Sequence, residues 1–186
     1  MLSVLDRAIA LGILFFISAQ ASADATLGQE QLDELSAKAN AGDMAAQVEL
    51  ADRYYAGNGV LKDLKQAATL YNKLADNGVA QAQMTLALMY IRGEGVAQDN
   101  EKAHHWLIQA AEQRLAPAQY FLGLAYAEGH GVETNNITAY MWFEIAAAMD
   151  HKDALAATKT LAEKMSREDV LTAEQQATEW WMRFHH

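Results

Sequence analysis

The sequence contains no cysteine. That absence excludes disulfides, thiolate metal sites, a cysteine nucleophile and a lipid-modified cysteine anchor, so stability must come from packing. Proline occurs once, at Pro117, and no run of glycine or serine is present, so no long disordered linker is expected. Basic residues are few: 14 Lys and Arg stand against 24 Asp and Glu, a net charge of −10. Such a chain repels nucleic-acid phosphates and anionic lipid surfaces, and neither is expected as a partner. Long apolar runs are also missing. The stretch from Ala8 to Ile17 is roughly half the ~20 residues of a bilayer-spanning helix, and no later segment is long and apolar enough to span.

That first apolar stretch follows Arg7 and is followed by the small residues Ala21, Ser22 and Ala23. This is the layout of a secretory signal over residues 1–23, with cleavage expected before Asp24. An uncleaved membrane anchor is the alternative. Removal takes away Asp6 and Arg7 together, so the net charge stays at −10. The expected product is a soluble exported protein, in a bacterial periplasm, with no membrane insertion of the mature chain. Asn136-Ile137-Thr138 forms a glycosylation sequon that would matter only in a eukaryotic secretory pathway, and it is read as coincidence.

What the chain does have is a period. Hydrophobic residues make up 52% of it, and many are alanines, which suit closely packed helices. Three segments superimpose without gaps at a spacing of 36 residues. Ala46, Ala82 and Ala118 correspond, followed by Gln47, Gln83 and Gln119, then Leu50, Leu86 and Leu122, then Tyr54, Tyr90 and Tyr126. Paired glycines come next (Gly57 and Gly59, Gly93 and Gly95, Gly129 and Gly131), each second one followed by Val60, Val96 or Val132. Asp63, Asp99 and Asn135 follow, then Ala67, Ala103 and Ala139, and finally Ala75, Ala111 and Ala147.

The chemistry of these positions defines a unit. Alanine, leucine and tyrosine at i, i+4 and i+8 lay an apolar stripe along a helix of about three turns. The first glycine falls where that helix ends, and glycine enters the left-handed cap conformation without steric cost. Asp63, Asp99 and Asn135 suit the start of a second helix, where a side-chain oxygen accepts from free N–H groups. In that helix Ala67, Leu70, Leu74 and Ala75 share a face, as do Ala103, Trp106, Ala110 and Ala111, and Ala139, Trp142, Ala146 and Ala147. Each unit is therefore helix, glycine loop, antiparallel helix. Alone it cannot cover its apolar face, so neighbours must stack.

The pattern Ala-x-Ala-Gln-x-x-Leu, a tyrosine, Gly-x-Gly-Val and an aspartate, then Ala-x-x-Trp and a final Ala-Ala, resembles the Sel-one-like repeat, a relative of the tetratricopeptide repeat with a longer interhelical loop. Ala82 to Ala111 carries the closest likeness, and the resemblance covers roughly residues 44–150. It implies an all-α fold, a right-handed α-solenoid of about eight or nine helices. Departures are Leu70 in place of tryptophan, and Arg114 and Asp150 in place of the closing glycine kept at Gly78. Residues 24–43 read as an N-terminal capping half-repeat, residues 44–150 as three repeats, and residues 151–186 as a C-terminal capping helix pair. In that pair Ala154 to Ala162 resembles a degenerate first helix, and Ser166 with Asp169 starts the last one. Pro117 falls in a first turn, where its missing N–H is harmless.

Repeats that agree in the core and differ elsewhere point to the surface that was specialised. In the first helices the variable face runs through Ala45, Glu49, Asp52 and Ala56, then Gln81, Thr85, Leu88 and Arg92, then Pro117, Phe121, Leu124 and Glu128. Arg53, Met89 and Ala125 lie beside it. The resemblance implies that first helices line a concave side, so a partner-binding groove is expected from Glu49, Asp52 and Arg53, through Thr85, Leu88, Met89 and Arg92, to Phe121, Leu124 and Glu128. Exposed apolar side chains in a groove suit a partner's helix or extended peptide. The alternative is that Leu88 and Leu124 pack between helices and the charges are merely solvated.

Other candidates weigh less. His104 and His105 are adjacent, so on a helix they point about 100° apart and cannot share one metal. His130 occupies the variable middle of a Gly-x-Gly turn, and His185 and His186 end the sequence. Trp180 and Trp181 are adjacent, so at most one is expected to face the core well, and the other is read as a lid on the last helix pair, with an exposed contact residue as the alternative. No serine–histidine–acid set, phosphate loop or His-Glu-x-x-His motif can be located, and the Gly-x-Gly turns follow helices rather than strands. No enzyme activity, cofactor or metal is expected. Some cysteine-rich exported members of the resembling family are linked with β-lactam binding or hydrolysis, but this chain lacks those cysteines. The favoured reading is an exported adaptor that holds a peptide or helix of another envelope protein. The alternatives are recognition or hydrolysis of a cell-wall or β-lactam-type ligand, and a structural component of an envelope machine.

Overall fold

The computed structural model describes residues 28–183. The expected leader, residues 1–23, lies outside the described residues, as do His185 and His186. Among the described residues there are nine helices and no strand. The first, α1, covers 28–40. It is followed by α2 (Met44–Ala56), α3 (Leu64–Asp76), α4 (Ala80–Arg92), α5 (Asn100–Glu112), α6 (Ala116–Glu128), α7 (Asn136–Ala147), α8 (Lys152–Ala162) and α9 (Arg167–Arg183). From α2 to α8 every helix packs against the next, which makes a solenoid of tandem helix pairs.

Local chemistry places each boundary. Asp63 accepts from the N–H groups of Lys65 and Gln66, Asp99 from Lys102, and Asn135 from Thr138. Gly57, Gly93 and Gly129 end the preceding helices at φ +79°, +67° and +76°, each donating its N–H to a carbonyl of the last turn. The loop is then drawn tight by one backbone bond per repeat. Asp63, Asp99 and Asn135 donate to the carbonyls of Tyr54, Tyr90 and Tyr126 at 3.0, 3.1 and 2.9 Å.

The stack is knitted by a second recurring bond. The side-chain amide of Gln47 donates to the Ala39 carbonyl at 2.9 Å, Gln83 to Ala75 at 3.0 Å, and Gln119 to Ala111 at 3.1 Å. Each glutamine thus reaches back to the helix end of the preceding unit. Gln83 and Gln119 are buried, so each bond satisfies a carbonyl that water cannot reach. Between the repeats the core is alanine and leucine: Ala67, Leu74, Leu86 and Ala87 are fully enclosed, as are Ala110, Leu122 and Ile145.

Where the closing glycine of a unit is missing, the backbone keeps its shape. Arg114 and Asp150 sit at φ +65° and +63°, beside +82° at Gly78. At the C-terminal end α8 continues the stack on α7, and α9 folds back onto α7 as well. Trp180 is buried there and meets Trp142 edge-on at 5.8 Å, while the Arg114 guanidinium lies 5.4 Å over the Trp181 ring. Trp180 is thus the member of the pair that faces the core, and the half-buried Trp181 packs against the same cluster.

Candidate functional site

The first helices α2, α4 and α6 carry the variable face. The structure gathers only part of it into one site. Leu88 and Arg92 on α4 face Phe121, Leu124 and Glu128 on α6 across a cleft of about 200 Å3. Its floor is α5, through Ala103, His104 and Leu107, and His130 of the following glycine turn closes one rim. Leu88, Phe121 and Leu124 are half-buried, so each presents part of its surface to the cleft and part to the core.

The remaining expected residues do other things. Glu49 and Arg53 are bound to each other, with Arg53 Nε and a terminal guanidinium nitrogen donating to one Glu49 oxygen at 3.2 and 2.7 Å. Asp52 accepts from the Tyr71 hydroxyl at 2.6 Å. Thr85 turns its hydroxyl back onto the Gln81 carbonyl of its own helix. Met89 corrects the expectation outright. It is 1% exposed and sits in the core with Leu86 and Ala82, because it lies seven residues after Ala82 and therefore returns to the same inward face.

Sequence reasoning missed Ile91, His104 and Leu107 as lining residues. The signal was present in the period: their counterparts one repeat earlier are Tyr55, Ala68 and Tyr71, so these positions vary as much as the face that was singled out. His104 packs edge-on against Tyr126 at 5.2 Å, and its Nε2 is enclosed with no hydrogen-bond partner. Burial, and then the nearby His105, holds its imidazole below the usual histidine range. At neutral pH the ring is therefore uncharged and the cleft floor stays apolar. His105 instead lies exposed against the Trp106 ring, so the two histidines do point apart. Among the described residues no group of three or more His, Asp or Glu is placed to hold a metal ion. None of the described helices is long and apolar enough to cross a membrane.

One repeat earlier the equivalent cleft is filled. Tyr71 O–H reaches Asp52, Tyr55 O–H donates to Glu94 at 3.1 Å, and the two rings meet edge-on at 6.2 Å. Burial first, then the Asp52 hydrogen bond, pushes the Tyr71 phenol up, so it remains a donor. One repeat later the cleft is open again. Leu124, Ala127, Phe143 and Leu161 line a space of about 380 Å3 between α6 and α8, with Tyr120 and Asp153 at its edge.

The Sel1 repeat pattern matches residues 45–79, 80–115 and 116–151. Among solved structures, the chain is similar to a protective antigen present in uropathogenic Escherichia coli strains that displays an SLR fold. The two are 29% identical with a TM-score of 0.74, over 82% of this chain and 32% of that one. The chain therefore spans about a third of that longer protein. It is also similar to a Sel1 repeat protein from Oxalobacter formigenes, at 34% identity and a TM-score of 0.63, over 70% of this chain and 98% of that one. No curated protein sequence matches the chain.

Proposed function

Because the chain belongs to the Sel1 repeat family, whose repeats generally mediate protein–protein interaction, we propose that it is an exported adaptor gripping a segment of another envelope protein. The observation that carries this reading is the cleft between α4 and α6. Its apolar residues Leu88, Phe121 and Leu124 stand where the first repeat has Asp52, Glu49 and again Asp52, so packing of the repeat does not demand them. An apolar cleft that the fold does not require suits a partner's side chain. Export rests on the leader layout of residues 1–23, and the periplasmic, envelope-facing setting follows from it.

Phe121→Ala tests the grip. Phe121 is half-buried, so its removal should cost well under the ~3–5 kcal/mol of a core phenylalanine. Partner binding should weaken by ~1–3 kcal/mol if the ring is an interface anchor. A thermal melt read beside a binding assay separates the two roles, and a large loss of stability with unaltered affinity would sink the assignment. Export is checked by fractionation with N-terminal sequencing: the expected product begins at Asp24, and an intact Met1 in the cytoplasm would overturn it.

A further inference from the structure

Glycine follows asparagine twice in the chain, at Asn58-Gly59 and at Asn77-Gly78. In such a pair the glycine's backbone nitrogen can attack the asparagine side-chain carbonyl, because no side chain on the next residue hinders closure of the ring. Both pairs sit just past a helix end, and the two glycines have positive φ, +71° and +82°. As sequences they are equivalent. The structure separates them.

At the second pair both reacting groups are held. Gly78 N–H donates to the Ala75 carbonyl at 2.9 Å, and the Asn77 side-chain amide donates to the Lys73 carbonyl at 2.8 Å. Ring closure needs the glycine nitrogen bare and the amide carbon turned onto it, so both bonds must break first. At the first pair neither group is held. Gly59 N–H and the Asn58 side chain have no hydrogen-bond partner among the described residues, and both residues are exposed. Only the Asn58 backbone N–H is fixed, to the Arg53 carbonyl at 3.1 Å.

A cation widens the difference. Arg53 Nε and Nη2 are taken up by Glu49, but Nη1 lies 3.7 Å from the point a Gly59 Cβ would occupy. Positive charge there favours loss of the Gly59 amide proton and then the carboxylate that forms. One repeat on, the counterpart of Asn58 is already an acid, Glu94, which lies 3.9 Å from Arg92. The first loop also has room to lengthen. Gly95 and Gly131 are pressed against backbone of the preceding unit, whereas Gly59 lines a hollow of about 750 Å3 with Gln29, Leu32 and Leu61.

We infer that Asn58 is a site of spontaneous modification: in the folded chain it loses its amide and becomes an acidic residue, helped by Arg53, while Asn77 is spared. Gly59 N bonds to Asn58 Cγ, the Cγ–Nδ2 bond breaks, and ammonia leaves with the proton given up by Gly59. Water then opens the cyclic imide. Attack at Cγ restores the ordinary backbone with an aspartate. Attack at the Asn58 backbone carbonyl carbon leaves Gly59 joined through the side chain, as an isoaspartate. One water enters and one ammonia leaves, with no oxidation or reduction. Either product sets a carboxylate beside Arg53 and makes the chain, at −10 before the change, more negative by one charge.

The test incubates the purified full chain in mildly alkaline buffer, digests samples over time and follows both asparagine peptides by mass spectrometry. An isoaspartate-specific methyltransferase marks the rearranged product. Asn58 should convert at least about tenfold faster than Asn77, which must first give up two hydrogen bonds. In concentrated urea the two rates should converge. Equal rates in the folded chain would overturn the inference, as would faster conversion at Asn77. Arg53→Gln should slow Asn58 several-fold and leave Asn77 unchanged. If this variant opens the fold, Asn77 speeds up and reports it, so the ratio of the two sites remains the measure. A ratio identical to that of the parent chain would overturn the part given to Arg53.

Discussion

Gly131 lies against Asn100 so closely that a Cβ added to it would overlap the Asn100 carbonyl oxygen, and Gly95 stands in the same relation to Leu64. The second glycine of each loop is thus the point where one repeat's turn touches the first residue of the preceding second helix. Gly59, which has no full repeat before it, meets only the end of the Arg53 side chain at 3.7 Å.

All three glycines have positive φ, between +71° and +76°, so alanine at any of them should lose ~1–2 kcal/mol to backbone strain. Gly95→Ala and Gly131→Ala should lose a further ~1–3 kcal/mol because backbone must move aside. Urea unfolding of the three variants checks the order. If Gly59→Ala proves as damaging as the other two, the contact between repeats is not what these glycines serve.

A glutamine and a methionine give the second prediction. Gln83 Oε1 accepts from Gln113 Nε2 at 2.8 Å, whereas the buried Gln119 Oε1 has no partner. The residue equivalent to Gln113 one repeat on is Met149. Met149→Gln should supply the missing donor and stabilise the chain by ~0.5–1.5 kcal/mol, seen as a higher Tm. An unchanged or lower Tm would mean that the new amide does not reach Gln119.

The two non-glycine residues at positive φ should respond unequally to glycine. Relief of left-handed strain, less the entropy glycine adds to the unfolded chain, leaves a gain of up to ~1 kcal/mol for Asp150→Gly. Arg114→Gly also loses the contact with the Trp181 ring, which is worth ~0.5–1 kcal/mol, so its gain should vanish. Identical denaturation midpoints for the two variants would show that the arginine–tryptophan contact contributes nothing.

Glu144 gives a pH dependence. One of its carboxylate oxygens is enclosed without a partner, and burial first, then the charge of Glu174, raises its pKa above the ordinary value of 4.5. Tyr140 is pushed up by burial and by the same two carboxylates. The folded state then holds the Glu144 proton more tightly than the unfolded chain does. This contribution is complete at pH below the ordinary value and is lost as pH rises through the raised one. Glu144→Gln should therefore be more stable than the parent at neutral pH by a Tm shift of about 2–4 °C, with the advantage shrinking in acid. A Tm difference that stays constant from about pH 4 to pH 8 would refute the assignment.

The period, the helix pairs and their caps were legible because they depend on near neighbours in the chain. Asp63, Asp99 and Asn135 cap residues only two or three positions away, and Gly57, Gly93 and Gly129 close the turn just before them. Recurrence at a fixed spacing also separated structural tyrosines from specialised positions. The role of the repeating glutamines was not read, although their recurrence signalled a packing function: the carbonyl each one satisfies lies on the preceding unit.

The site divides along the same line. The sequence by itself determined that the first helices vary on one face and that Leu88, Phe121 and Leu124 are apolar where the repeat does not need them. The inward turn of Met89 was already implied by its spacing from Ala82, whereas only the tertiary structure decided that Asp52 is held by Tyr71 and that Leu107 of α5 floors the cleft. It also decided that one of three equivalent clefts is filled while two stay open. The physical reason is reach. Helix faces follow from spacing along one chain segment, but a cleft is the space left between side chains of several segments, and its closure turns on whether a hydroxyl such as that of Tyr55 arrives within bonding distance of Glu94.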